Sequence, residues 1–436
     1  MKIRTVAFGL SISADDFLSE NGISLKLKLT DAKHHLDNVC ETLRLKTGHE
    51  IQTQRIAFNS FEKWLVPLLA PPHLLTLESV IKVLHLSLED LGIHFCSIGC
   101  CETADGMKLI PEILSISDRL SASVLFTKAS TDDIAPPSSL CALVAETCLQ
   151  VAAKCGDLGN FRFCASFNCP SGIPFFPAAY QESGVAKSIS VGLENGDLLF
   201  LAFHGMENDY NTARDQLHNV LLQILLPIQD VVESYCKENS ISYTGIDASI
   251  NPGLALPDSV GGGLQSLLPP APEDTNSLLT AAERNHYQCF GEMGTLAAVS
   301  TVTSAIKSLD RSKTISSIGG ESSVGYEGIK LAGYSGLMLP VLEDVVLAQR
   351  AQEGRYNLRD LLTFSSVCGV GLDTVPIPGN TRADVLAGVY MEVAALAFRL
   401  NKPLSCRVLP LTGKVAGDTT NVDSPYLCNS IVFSIP

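Results

Sequence analysis

Ser365-Ser366-Val367-Cys368-Gly369-Val370-Gly371-Leu372-Asp373-Thr374-Val375-Pro376-Ile377-Pro378-Gly379-Asn380-Thr381 passes from an apolar run to a lone carboxylate and then to two prolines. Val367 to Leu372 predicts a short buried strand, with Gly369 and Gly371 clearing one face for a close approach. Asp373 stands where the apolar run breaks. Pro376 and Pro378 fix φ and lack an N–H, so the chain is expected to leave the sheet in an extended turn. Thr381 is placed to cap a helix running to about Arg399. A strand, a polar residue at its carboxyl end, a Gly/Pro turn and a capped helix are how α/β folds commonly build a site. The same residues also suit a tight strand-to-helix connection with a solvated aspartate.

Working outward, the 436 residues exceed the span of about 250–300 that one core usually serves. Two domains or one large barrel-like unit are the options. Hydrophobic residues make up 46% and charged residues 18%, so a large core is required and a homo-oligomer interface is expected. The formal net charge of −15 argues against nucleic acid and anionic membranes as partners. No apolar run reaches the length of a membrane span. Met1 to Leu10 turns polar by Ser11, Ser13 and Asp15, which predicts a first strand and not a signal peptide. A cytoplasmic protein is the expectation. None of the 14 cysteines forms a CxxC pair matched by a second CxxC or an HxxxH. Cys96, Cys100 and Cys101 cluster, but buried small apolar residues in a reducing compartment account for them. No metal site is assigned and no cofactor is named.

Short apolar runs alternate with longer stretches of helical period through the first 170 residues, as in parallel α/β folds. Asn168 to Tyr180 then packs three prolines and three aromatics into one loop, suited to a pocket lining or a locked interface. Val185 to Leu193 and Leu198 to Phe203 flank Asn195-Gly196 and predict a hairpin. Thr212 to Glu238 predicts a long helix. Tyr243 to Asn251 predicts a strand whose alternation puts Asp247, Ser249 and Asn251 on one face. Such a polar face needs partners or a ligand. Pro269 to Glu273 is the candidate boundary between an N-terminal half, 1–268, and a C-terminal half, 274–436. Glu292 sits between Gly291 and Gly294, ahead of a small-residue helix; it suits a site or a solvated turn. Pro340 to Glu353 predicts a helix with Glu343 and Asp344 in its first turn, where the helix dipole alone explains them. Ser405 to Pro410 predicts the last strand.

Several of these segments together resemble one known family. Cys368-Gly369-Val370-Gly371-Leu372-Asp373, Pro378-Gly379-Asn380-Thr381, the Gly336 to Asp344 step, Arg407-Val408-Leu409-Pro410 and Gly413-Lys414-Val415-Ala416-Gly417-Asp418 are similar to the domain-of-unknown-function family 711. The Phe175 to Tyr180 loop and the Asp247 to Asn251 strand fit it too. The resemblance implies a pyruvate-formate-lyase-like protein with a large glycyl-radical-enzyme-like α/β barrel of about ten strands. Radical chemistry is not expected to come with the fold. Arg407-Val408 continues as Leu409-Pro410, without the glycine–aromatic step that stores such a radical, and Cys368 is a lone cysteine in an apolar run.

The expected function is an enzyme acting on a small polar or anionic metabolite in an enclosed site. Asp373, Glu292 and Asp247 are the expected acid/base carboxylates, because paired carboxylates in a low-dielectric cavity push their pKa values apart. Ser249, Asn251, Gly379, Asn380 and Thr381 would supply hydrogen bonds, and Arg407 or Lys414 would neutralise an anionic substrate. The alternative is a non-catalytic, metabolite-binding homo-oligomer using the same polar face.

Overall fold

The computed structural model describes residues 1–19, 22–128, 130, 132–206, 209–268, 289–310 and 328–436. The proposed break at Pro269 to Glu273 lies outside them. Nine strands form one mixed sheet: β1 Lys2–Leu10, β2 Ile51–Phe58, β3 Cys96–Cys101, β4 Leu120–Phe126, β5 Phe163–Phe167, β6 Lys187–Glu194, β7 Ser242–Asp247, β8 Gly371–Pro378 and β9 Leu404–Leu411. Their order is β7-β6-β1-β2-β3-β4-β5-β9-β8. β1 to β5 run parallel, each crossover carrying helix, as the alternating pattern predicts. β6 and β9 flank this block antiparallel, each with a parallel outer neighbour.

The sheet is not closed, and the expected barrel is not what its strand pairing shows. β7 and β8 are its edges. The segment 329–340 touches both of them through isolated bridges, Ile246 to Leu331, Ile250 to Leu337 and Pro340 to Asp373.

The two faces of the sheet pack differently. Alternate residues of each strand point to opposite sides. Val6, Ile56, Phe163, Cys406 and Val408 join the large core under the helices. On the other face a separate apolar cluster gathers Cys100, Leu125, Cys164 and Val370 with Ile173, Phe175 and Ala178 of the Asn168 to Tyr180 loop. Three aromatics and three prolines suit that loop because it fills the inner face rather than meeting water.

Four local expectations change. Ser365 to Cys368 is the last turn of the helix Leu358–Cys368, not a strand. Asn357 caps its start, accepting from the backbone N–H of Arg359 and Asp360, and Gly369 ends it at φ +95°. The strand starts instead at Gly371, φ +103°, where a Cβ would lie 2.1 Å from Ser405 O. Pro376 and Pro378 stay within β8, which tolerates them as an edge strand. The following helix runs Ala383–Leu400 with Arg382 at its N-cap, and the Thr381 hydroxyl donates to Pro378 O instead of capping it. Asp197–Phe203 is helical, so Asn195-Gly196 makes no hairpin; both its N–H groups donate to Asn251 O.

Candidate functional site

Two adjoining cavities lie on the inner face. The smaller, about 110 Å³, is walled by Ser121, Cys164, Tyr334, Asp373, Ser405 and Arg407 among others. The larger, about 320 Å³, reaches toward Glu194, Pro252 and Tyr426. Arg4, Arg55, Phe95, Phe161 and Glu343 line both, so the two form one chamber. It opens at the amino ends of the parallel strands: Arg4 is near the start of β1, and Phe95 and Phe161 precede β3 and β5. Open parallel sheets usually bind ligands at the carboxyl ends.

Charged side chains at this level belong to strands that otherwise read as core. Arg4 Nη2 donates to Glu343 Oε2 at 2.7 Å and its Nη1 to Glu194 Oε2 at 3.2 Å. Arg407 Nη2 donates to Glu343 Oε1 at 2.7 Å and its Nε to Asp373 Oδ1 at 2.6 Å. Its last nitrogen reaches Phe161 O at 3.3 Å, and its plane lies over the Phe161 ring, 4.8 Å from the centroid. Glu343 thus has one oxygen on each guanidinium. Asp373 has only Oδ1 engaged; among the described residues no protein donor reaches its Oδ2.

Two backbone irregularities aim these groups. Between β1 and β6 the register slips from Ile3–Leu193 to Thr5–Gly192, leaving Arg4 as the extra residue. Between β8 and β9 it slips from Leu372–Cys406 to Val375–Val408, so Asp373 and Thr374 stand against Arg407 alone. Thr374, branched at Cβ, is held at φ +45°. Bulges collect beside functional sites because they re-aim a side chain, and a β-branched residue at positive φ is a true outlier.

Arg55 differs from the other two arginines. Its guanidinium lies 5.2 Å from the centroids of both Phe95 and Phe176. Its one hydrogen bond among the described residues runs from Nε to Thr53 Oγ1 at 3.0 Å, and no carboxylate pairs with it. Burial, with Arg4 nearby, pushes it down to about 9, so it remains charged at neutral pH. Burial likewise lifts Asp373; Arg407 opposes the shift and Glu343 adds to it. Burial alone would lower Arg407, but Asp373 and Glu343 outweigh it and hold it above an ordinary arginine. Among the described residues, no three His, Cys, Asp or Glu side chains gather as a metal site, and no helix is long and apolar enough to cross a membrane.

Residues 1–423 match the family described as Uncharacterised ACR (DUF711). The chain belongs to that family. A UPF0210 protein of Oleidesulfovibrio alaskensis is 24% identical over 454 residues, covering 100% of this chain and 91% of its own. One from Pyrobaculum aerophilum is 28% identical over 267 residues, 61% of this chain and 52% of its own, so the match spans about half of that relative. One from Methanopyrus kandleri is 22% identical over 430 residues, 96% of this chain and 88% of its own.

Of the residues the sequence nominated, this DUF711 chain brings Asp373, Arg407 and Asn251 to the chamber wall. Asp247 is buried elsewhere: it accepts from the Ser249 N–H and hydroxyl and from the N–H groups of Tyr334 and Ser335. Ser249 is used up in that lock. Glu292 is a half-exposed turn residue paired with Arg355 at 3.3 Å. Gly379, Asn380, Thr381 and Lys414 sit in the turns beyond β8 and β9 and line neither cavity. The expected convergence of Asp373, Glu292 and Asp247 therefore does not occur; one of them meets the chamber.

The helix is Val345–Gln352 with Asp344 as its cap, so Glu343, expected in its first turn, lies outside it. One residue earlier, Glu343 is free to join Arg4 and Arg407. Arg4, Arg55 and Glu194 escaped nomination altogether. Their signal is weaker, a charge at the edge of an apolar run, as in Ile51-Gln52-Thr53-Gln54-Arg55-Ile56-Ala57-Phe58, where Arg55 follows three polar residues and precedes Ile56-Ala57-Phe58. Such a side chain must find a partner or a cavity.

Proposed function

We propose that this protein is an enzyme that holds a small anionic metabolite in the chamber and acts on it by carboxylate acid/base chemistry at Asp373, without a glycyl radical. The observation that carries the reading is Arg55: a guanidinium between two aromatic rings, facing both cavities, with no carboxylate of its own. Lys2, Arg4 and Arg407 are matched by Glu194, Glu343 and Asp373. Among the described residues Arg162 also lacks an ion pair, but the Leu114, Ser117 and Leu120 carbonyls take up its guanidinium; Arg55 has no such partners, and an anionic ligand would complete it. Asp373 suits proton transfer because Arg407 fixes one of its oxygens and leaves the other open to the cavity, while burial moves its pKa toward neutrality. Glu343, with both oxygens taken, would position the two arginines.

The barrel of about ten strands is part of the proposal. The segment 329–340, bridging to both sheet edges, would serve as the tenth element. This supports kinship in shape with pyruvate formate-lyase, not shared chemistry.

The test is NMR of small carboxylic acids mixed with wild type, Arg55→Gln and Asp373→Asn, reading binding by saturation transfer and turnover by substrate loss. Wild type should bind and convert a ligand, Asp373→Asn should bind without converting it, and Arg55→Gln should not bind. Equal binding by Arg55→Gln and wild type would remove the anion site. Binding that never leads to conversion in wild type would favour the non-catalytic alternative.

A further inference from the structure

The anion-binding reading leaves the ligand's class open, and a second feature of the same chamber narrows it. Ser121, on β4 and 5% exposed, lines the smaller cavity, yet among the described residues its hydroxyl has no hydrogen-bond partner. Buried side-chain hydroxyls are almost always paired in folded proteins, so an orphan on a cavity wall points to something that fills the cavity. Ser405 and Tyr334 stand on the same wall with their hydroxyls within reach of each other. The Ser405 hydroxyl makes a long 3.4 Å contact to Val370 O, and the Tyr334 hydroxyl meets the Cys169 thiol at 3.8 Å. The cavity holding the open Asp373 Oδ2 thus carries three hydroxyls, of Ser121, Ser405 and Tyr334, beside the charged Asp118, Arg119, Arg162 and Arg407.

The Arg55 end sets the charge. Phe95 and Phe176 lie 5.2 Å from the Arg55 guanidinium and Thr53 takes its Nε, so among the described residues its two Nη groups are the donors left to meet a ligand. A planar carboxylate matches such a pair with both oxygens. Arg162, which lines the same cavity without an ion pair among the described residues, spends its guanidinium on the Leu114, Ser117 and Leu120 carbonyls, so the free fork of Arg55 has room for one carboxylate. The smaller cavity, about 110 Å³, suits a short chain.

We infer that the ligand is a short monocarboxylic acid with a second, uncharged hydroxyl or carbonyl group, its carboxylate on the edge of Arg55 and its second group hydrogen-bonded to Ser121 Oγ in the cavity shared with Asp373. This rests on the anion-binding reading, and the two fail in different experiments.

The test is titration calorimetry with thermal shift on the full chain, using butyrate, 3-hydroxybutyrate, 4-hydroxybutyrate, 1,4-butanediol and inorganic phosphate as probes. One well-made hydrogen bond corresponds to about tenfold in affinity. At least one hydroxy acid should therefore bind wild type about tenfold tighter than butyrate, and the gap should shrink below about twofold in Ser121→Ala. Ser121→Ala should fold as well as wild type, since it deletes an unpartnered hydroxyl. The diol should not bind. Arg55→Gln should lose every acid, and Arg55→Lys, which keeps the charge without the fork, should fall between. A gap that persists in Ser121→Ala, or phosphate binding tighter than every acid, overturns the ligand class while leaving the anion site standing. Acids that bind Arg55→Gln as well as wild type, or no anion binding to wild type at all, overturn the anion site itself.

Discussion

Two pairs of buried carboxylates make the instructive comparison in this molecule. Asp247 and Asp344 are fully buried, and both are pushed above the ordinary carboxylate range, first of all by desolvation. Asp373 is lifted for the same leading reason, with Glu343 beside it. Burial and a raised pKa therefore do not separate Asp373 from Asp247 and Asp344; their partners do. Asp344 accepts from Val346, Leu347, Val260 and Gly261 N–H and from the Ser259 hydroxyl, clamping two helix starts together. Asp247 is saturated in the same way by loop 333–335 and Ser249. Glu343 and Asp373 are held by arginines on a cavity wall, and one oxygen of Asp373 is left over. A carboxylate whose oxygens all receive fixed donors has been spent on the fold, whereas an open oxygen on a cavity wall can still do chemistry.

The sharpest way to break this contrast is to remove each member. Arg407→Met should cost the most stability, about 3–5 kcal/mol by urea unfolding, because it strands Asp373 and half of Glu343 in a buried place. Asp344→Ala should follow at about 3 kcal/mol, through the loss of donors to two helix starts. Asp373→Asn should change stability by only about 1 kcal/mol while cutting turnover of the ligand on the order of 10²-fold or more. If Asp344→Ala proves as harmless to folding as Asp373→Asn, the division into structural and open carboxylates fails.

pH sharpens the comparison further. Burial lowers Arg55 from the ordinary arginine range, yet it stays charged through neutral pH, so affinity for a carboxylate should be flat from about pH 6 to pH 8, as calorimetry would show. Asp373 has the opposite linkage to folding. Its folded pKa lies above the ordinary 3.8, so the protonated form favours the native state and that contribution is lost as pH rises past 3.8. Asn mimics the protonated acid, so the melting temperature of Asp373→Asn minus that of wild type should grow more positive from pH 4 to pH 7. A difference that shrinks over that range would reverse the sign given to Asp373. The smallest effect is expected at the thiols. All but Cys155 and Cys428 are buried, and burial pushes Cys164 and Cys169 up to about 12, so a thiol reagent should label the native protein slowly and at those two half-buried positions first.

How much of this was legible without coordinates follows from what each signal measures. Hydrophobic period located most strands and the long helix, observed as Tyr210–Glu238, because burial on one face is a local property of the sequence. It failed at Val367 to Cys368, where an apolar run served the end of an amphipathic helix as readily as a strand. Asp373 and Arg407 could be read because each interrupts an apolar strand. Arg4 and Arg55 give a weaker signal, since each lies in the polar first part of its strand, where a charge looks solvated. Glu343 was hidden by a better local explanation, the helix dipole, that belongs to its neighbour Asp344. The pairing of Glu194, Arg4, Glu343 and Arg407 spans four distant segments, and no local pattern encodes it.

The bulge at Asp373 and Thr374 carries a consequence for how this protein can change. Side chains along a strand swap sides with every residue, yet Leu372 and Val375, three positions apart, both join the core, because the extra residue resets the phase between them. Deleting Thr374 would therefore restore plain alternation: Val375 and Ile377 would keep their side and their partners on β9, and only the aim of Asp373 opposite Arg407 would change. An insertion at the same place would do the opposite, turning Val375 and Ile377 toward the chamber.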